Sequence, residues 1–406
     1  MNVVFLSPNY PPEMHEYTRG LAQVGARVYG VGDSPSGGLA PKVRAALTDY
    51  LQVPRIMDED DVMARVTAWL RGKEVDRIES NWEPLVLLAA RLRERFGVPG
   101  MSVDTVNAFR DKGLMKQRVA AAGLRVPYAF RVRSSAEVWR AAERVGFPLI
   151  LKPIAGAGSA DTYRVDGPDD LVRVLPYLRH VEEASCEEFV EGEEFTFDTV
   201  SIEGKPAFIN VAQYLPRPLV ARSIEHISPE IITVRDLSQP RLQEGIKLGH
   251  AVLSALGMGT GFTHMEWYRK ANGDVVFGEI GCRPGGANLA DQMNYTCDSD
   301  VFRGWARAVC WHSFEEPTAR LYNAAIVFKR ARGQGRITRI EGLEGIRKRF
   351  GDSICVENLL QPGQNRRDWK QTLVSDGFLL VRHPDWDEAK RMADAVAEEV
   401  QMFAGT

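Results

Sequence analysis

The stretch THMEWYRKANGDVVFGEIGCRPGG, residues 263–286, decides how this chain is read. Its runs Thr263 to Tyr268 and Val275 to Ile280 are strand-like. They flank Asn272-Gly273, the strongest short signal for a two-residue turn with both central residues at positive φ. Counting outward from that turn sets Glu266 opposite Glu279 on one face of a hairpin, with Met265 and Ile280 on the other. Like charges directly opposite each other weaken a sheet, by about 0.8 kcal/mol at ~5 Å in water and about 3 kcal/mol at an effective dielectric of about 20. A compensating charge is therefore expected. A hard divalent cation such as Mg²⁺ takes carboxylate oxygens together with substrate phosphates, so the pair suits a metal-nucleotide. The competing expectation is that both acids are solvated or paired with a neighbouring Lys or Arg.

Working outward, 406 residues with 44% hydrophobic content can bury large cores in more than one domain or subdomain. The net charge of −3 is spread along the chain without a basic block, which argues against nucleic acid as a partner. Five scattered cysteines, Cys186, Cys282, Cys297, Cys310 and Cys355, lack any paired metal-ligand spacing and point to a reducing cytoplasm. The first apolar run, VVFL, stops at Ser7-Pro8, and no long apolar span follows, so a soluble protein without a membrane partner is expected.

The first part alternates strands (NVVFLS, RVYGVGD, DRIESN) with helices, a parallel α/β pattern. Its glycines follow the second strand, which speaks against a dinucleotide fingerprint. The loops SPNYPPE and SNWEP at strand ends are candidate substrate walls, with no role assigned to Tyr10 or Glu83. The expected division is 1–108, an amino-terminal α/β domain; 109–190, a small α+β unit; 191–320, a larger unit carrying the hairpin; and 321–406, an α+β region completing it. Within these, Ser135 is expected to cap the helix SSAEVWRAAERVG, and the chain to close with the helix DEAKRMADAVAEEVQMF.

Lys152 ends the apolar strand FPLILK and precedes Ala155-Gly156-Ala157-Gly158-Ser159, a small-residue loop whose backbone N–H groups can approach phosphate oxygens. A lysine closing an apolar run suggests a bound anion or a paired carboxylate. Lys112, after Asp111, taken alone is an ordinary surface lysine. In CEEFVEGEEFT, Gly192 separates two extended runs and marks a hinge; a solvated acidic edge strand is the competing expectation. His264 and His226 are ambiguous, His264 more simply a packed, hydrogen-bonded histidine.

In this order, DKxxxK, a strand lysine before a small-residue loop, EEFVEGEEFT, a strand acid and EIGCRPGG, the chain resembles the ATP-grasp superfamily over roughly Asp111 to Asp300. The resemblance implies an amino-terminal α/β domain followed by two α+β subdomains with ATP between them. Lys112 and Lys152 would meet the phosphates, with Gly156, Gly158 and Ser159 covering them. Glu187, Phe189 and Val190 would face adenine, and Glu194 the ribose. Glu266 and Glu279 would hold Mg²⁺, with Mn²⁺ as a substitute. Arg283 and Lys152 would be catalytic, while Gly285 and Gly286 would bind substrate; from the residues themselves, His226 and Arg217 are candidates for binding a substrate carboxylate. The family often has Asn where this chain has Gly281, a departure that puts one metal ligand in doubt.

The ending is similar to the carboxylate-amine ligases, including amino-acid ligases, which join small carboxylate and amine substrates through an acyl phosphate with release of ADP. A homodimer is also expected. The alternatives are a bicarbonate-using, carboxylase-like enzyme and a non-catalytic ATP-binding regulator.

Overall fold

Four parallel strands open the chain: Asn2–Leu6, Arg27–Gly32, Leu47–Gln52 and Arg77–Glu79, arranged third, second, first, fourth. The computed structural model describes residues 1–154, 161–372 and 374–405. Alternate residues of the first strand serve opposite faces. Val4 and Leu6 pack with Val62, Leu88 and Leu92 of helices Glu59–Trp69 and Val86–Phe96. Val3 and Phe5 pack with Tyr17, Phe302 and Trp305. Burial on both faces makes the two central strands Asn2–Leu6 and Arg27–Gly32 largely apolar, whereas the edge strand Leu47–Gln52 is polar and only part-buried. Phe5→Ala, at a fully buried position, would cost about 3–5 kcal/mol.

A second sheet is small and antiparallel: Ala129–Val132, Ala184–Glu188, Leu149–Pro153 and Tyr163–Val165, side by side in that order. Helix Ser135–Val145 covers it with Val138, Ala141 and Ala142. Its cap is Ser134, which accepts the Glu137 N–H at 3.3 Å, one residue before the expected Ser135.

The third sheet is antiparallel and has nine strands. Val275–Gly281, Gly261–Arg269, Glu193–Ile202, Ala212–Leu215, Glu230–Thr233, Asn323–Phe328, Gly377–His383 and Ile354–Leu359 lie in that order, and Lys205–Asn210 also pairs with Glu193–Ile202. Strands from beyond residue 320 are thus continuous with those that carry the hairpin. The chain passes from the small sheet to this one between Glu188 and Glu193. Gly192 takes φ +154° there, and a Cβ would lie 2.4 Å from the Arg269 carbonyl oxygen, so only glycine fits. Helices Val103–Arg110 and Lys112–Ala121 contribute Phe109, Met115 and Val119 to the core under the large sheet, with Phe195, Trp267 and Phe277.

Two expectations fail locally. The closing helix spans Trp386–Glu399 and stops; Gln401–Gly405 is a strand paired with Arg336–Glu341, burying Met402 with Ile337. The hairpin turn is also longer than the two-residue form. Lys270 N–H donates to the Asp274 carbonyl at 2.9 Å, closing a loop over Ala271-Asn272-Gly273, and of Asn272 and Gly273 only Gly273 has positive φ. A bulge at Gly278 adds one residue on the returning strand, so Trp267 faces Phe277 while Glu266 still faces Glu279. A Cβ at Gly278 would sit 2.7 Å from the Glu266 carbonyl oxygen, which is why the bulge uses glycine. No described helix is long and apolar enough to cross a membrane.

Candidate active site

Four elements meet at a cleft of about 780 Å³, and each delivers its charge for a local reason. Asp111 caps the helix Lys112–Ala121, accepting the N–H groups of Gly113 and Leu114 at 2.8 and 2.9 Å, and is held by Arg131 at 2.6 Å. That cap sets Lys112 in the first turn and Lys116 one turn later on the same face. A cation at a helix N-terminus opposes the helix dipole; Glu279, 3.6 Å from Lys112 Nζ, offsets this. Lys152 lies 3.1 Å from Glu187 and 3.7 Å from Glu279, and Lys116 pairs with Glu187 as well. Lys112, Glu279, Lys152, Glu187 and Lys116 therefore alternate in sign across the junction of the large and small sheets.

Burial opposes each of these charges, and the neighbours decide the balance. Burial would raise the Glu187 carboxyl, but Lys116 and Lys152 hold it well below the usual range. Burial disfavours the Lys152 ammonium, yet Glu187 and Glu279 lift it above its ordinary value. Lys116 falls to about 8, because burial outweighs Glu187 and Lys152 repels it. Glu279 is held at about 2 against burial by Lys112, Lys152 and Lys116. Its side chain keeps 28% exposure and stays within reach of a ligand.

The cleft face of the large sheet follows from period two. Glu194, Thr196 and Asp198 on one strand pair with Tyr268, Glu266 and His264 on the next. His264 Nδ1 lies 2.5 Å from Asp198, whose other oxygen accepts from Thr196 at 2.7 Å and Asn210 at 2.9 Å. Burial would lower the imidazole, but Asp198 and Glu266 raise it to about 9. Its Nε2 is 3.7 Å from Glu266, and Tyr214 donates to the same Glu266 oxygen at 3.2 Å. The repulsion between the hairpin acids is thus compensated on both sides, Glu279 by lysines and Glu266 by a hydroxyl and an imidazole.

At the other end of the cleft Glu194 meets Arg217 at 2.8 Å. Burial and the Glu266 charge raise the Glu194 carboxyl to about 7 despite Arg217. Arg217 also donates to the Val190 carbonyl at 2.8 Å and lies over the rings of Phe189 and Tyr268, 4.9 and 4.7 Å from their centroids. It thus sits among Glu194, Phe189 and Val190, the residues expected to face nucleotide.

Arg283 leads into a neighbouring recess that shares Lys112 and Glu279 with the cleft. Its Nε donates to Glu83 at 2.5 Å, and Arg110 pairs with the other Glu83 oxygen. Burial would raise Glu83, but Arg283 and Arg110 hold it low.

The structure therefore gathers Lys112, Lys152, Glu187, Phe189, Val190, Glu194, Arg217, Glu266 and Glu279 at one cleft, with Arg283 beside it. Gly156, Gly158 and Ser159 lie outside the described residues. His226 is an exposed turn residue that lines neither recess. Buried Gly285 packs on His264, where a Cβ would lie 3.0 Å from Nδ1, while Gly286 is exposed. Lys112 is buried, contrary to the surface lysine its helix suggested.

Lys116, Asp198, Tyr214, Tyr268, Arg110 and Glu83 carry no expected role. Lys116 lies at one-turn spacing from Lys112 and Tyr268 two residues beyond Glu266 on the same strand; the others arrive through nonlocal pairing. The two hairpin carboxylates fit a hard divalent cation, because they face an open cleft and leave coordination positions for phosphate oxygens. Among the described residues no group of three or more His, Cys, Asp or Glu forms a closed metal cage.

Residues 145–291 match the ATP-grasp domain family. The chain is 28% identical over 222 residues to an L-arginine-specific L-amino acid ligase of Bacillus subtilis, covering 53% of each protein. It is 26% identical over 279 residues to the alanine–anticapsin ligase of Bacillus subtilis strain 168, covering 62% of this chain and 58% of that one. The chain thus spans little more than half the length of these curated relatives. In structure it is similar to an L-amino acid ligase from Bacillus licheniformis, with TM-score 0.80 and 19% identity over 100% of this chain and 99% of that one. The chain carries an ATP-grasp domain in the fold of such ligases.

Proposed function

We propose that this chain is an ATP-dependent carboxylate–amine ligase. The observation that carries the proposal is the run of alternating charge from Lys112 to Lys116, whose Glu279 faces Glu266 across the hairpin. Lys112 and Lys152 line one side of the cleft and Lys116 pairs with its Glu187, a cationic setting that suits an anion such as a triphosphate. Phe189, Val190, Tyr268 and Glu194 form the slot for base and ribose. Glu266 and Glu279 would hold Mg²⁺, which when bound neutralises phosphate charge and orients it.

In the proposed reaction a carboxylate oxygen of the acid attacks the γ-phosphorus and ADP departs, leaving an acyl phosphate. The amine nitrogen then attacks the carbonyl carbon, phosphate leaves, and one proton is released as the amide forms. Phosphoryl transfer needs chiefly positioning and charge neutralisation, which suits a site of lysines and an arginine without a Ser-His-Asp set. Lys152, kept charged by its carboxylate neighbours, neutralises the transferring group. Arg283 orients the acid.

The test is incubation with Mg²⁺-ATP and pooled carboxylates and amines, reading ADP and product masses. The expected result is ADP release that requires both an acid and an amine, with a product of their summed mass less water. ADP release on bicarbonate alone would favour a carboxylase-like reaction. ATP binding without ADP under every pool would favour a regulator and remove the ligase.

A further inference from the structure

Position 281 is where the sequence leaves the expected pattern, and the structure gives the glycine a use. Gly281 does not take a left-handed φ, so its backbone admits any residue. What distinguishes it is space: a Cβ there would lie 3.3 Å from Glu83 Oε2, 3.5 Å from Arg283 Cγ and 3.6 Å from Arg283 Nε. The volume that a side chain at 281 would fill is taken by a carboxylate from the first sheet. Glu83 opens the short turn Glu83–Leu85, just past the carboxyl end of the strand Arg77–Glu79, in the SNWEP loop.

We infer that Glu83 is a positioning residue for Arg283, supplied by the amino-terminal sheet into the space left by Gly281. The inference rests on the ligase reading for its kinetic consequence. Glu83 Oε2 accepts from Arg283 Nε at 2.5 Å while Oε1 accepts from Arg110, so one carboxylate ties the hairpin exit to the last turn of Val103–Arg110. Arg283 NH1 is held by the Pro284 carbonyl at 2.8 Å. With two of its edges fixed, the guanidinium keeps one orientation beside Glu279 and Lys112, where an acid substrate must meet the phosphate. An Asn or Asp at 281 and a Glu at 83 compete for the same space, so the two positions act as a unit.

Two readouts test this. Under saturating Mg²⁺-ATP, Glu83→Ala should lower turnover on the order of 10²-fold, the scale of an ångström's misplacement, with ATP KM changed by less than about 3-fold. Adding Gly281→Asp to Glu83→Ala returns a carboxylate to Arg283 in the space that Glu83 vacates and should recover much of the loss. Independently of turnover, ¹⁵N-arginine NMR should show a slowly exchanging Nε–H that Arg283→Lys removes, Glu83→Ala abolishes and the double variant restores.

Wild-type turnover in Glu83→Ala, or no protected Arg283 signal in the wild-type protein, overturns the inference. Loss in Glu83→Ala with no recovery in the double variant, while the NMR signal returns, also overturns it, since positioning would then not be what was lost. A wild-type protein that makes no ADP but keeps the signal and its loss fails the ligase reading and supports the pair.

Discussion

The two ends of the cleft hold their charges differently. At one, Lys112 and Lys152 lie 3.6 and 3.7 Å from Glu279, too long for hydrogen bonds, while Lys152 and Lys116 both bond Glu187, so cations and carboxylates share one network. At the other, one guanidinium answers one carboxylate at 2.8 Å and a backbone carbonyl at 2.8 Å. The first end is a network in which cations and carboxylates are shared, a setting that suits an anion, and the second is a one-to-one pair. A ligand adds charge complementarity at the lysine end, whereas at the arginine end it must exchange existing bonds. Substitutions at the lysine end should therefore strike the chemical step, and those at the arginine end should strike nucleotide binding.

The largest expected effect is at Lys152. Lys152→Ala should reduce ADP release on the order of 10³-fold, the range for removing a preorganised charge from a reacting centre. Wild-type kinetics in that variant would erase the contrast between the ends. His264, between them, offers a pH test. Its pKa is raised from 6.5 to about 9, so the stability it contributes is present below pH 6.5 and lost as pH rises through 9. Denaturation against pH should show a decline of up to about 3 kcal/mol across that window, flattened in His264→Asn. An unchanged slope in the variant would remove His264 as the source.

Glu279→Gln should leave the circular-dichroism spectrum intact and lower turnover by about 10²-fold, with a higher Mg²⁺ requirement, because one hard anionic ligand is lost. Unaltered ADP production would sink the metal assignment. Arg217→Ala is the smallest: ATP KM should rise by about 10-fold while kcat stays within about 3-fold. A fall in kcat matching that of Lys152→Ala would show both ends serving the same step.

The same contrast marks what could be read in the sequence. The lysine end was legible because its signals are local: a lysine closing an apolar strand, one after an aspartate at a helix start, and two acids counted from a turn. Even there, the Glu266–Glu279 pairing was reached with the wrong turn, and the bulge at Gly278 restored the register that the longer loop had shifted. At the arginine end the sequence points to Glu194, Phe189 and Val190 together, and to Arg217 only as a substrate residue apart from them. Arg217 reaches them from Ala212–Leu215 through a turn whose path no periodicity reveals. Asp198 is opposite His264 only because Glu193–Ile202 lies beside Gly261–Arg269, a pairing made across about 60 intervening residues. Glu83 was noticed on a candidate wall, but its partner lies 200 residues away.

In the proposed reaction the cleft uses ATP to activate an acid through its carboxylate oxygen. Once product masses name the acid, supplying it labelled with ¹⁸O in both carboxylate oxygens and weighing the released phosphate tests this directly. One ¹⁸O atom per phosphate is the predicted result, because the attacking oxygen leaves with the phosphoryl group. Phosphate released without label during product formation would contradict it.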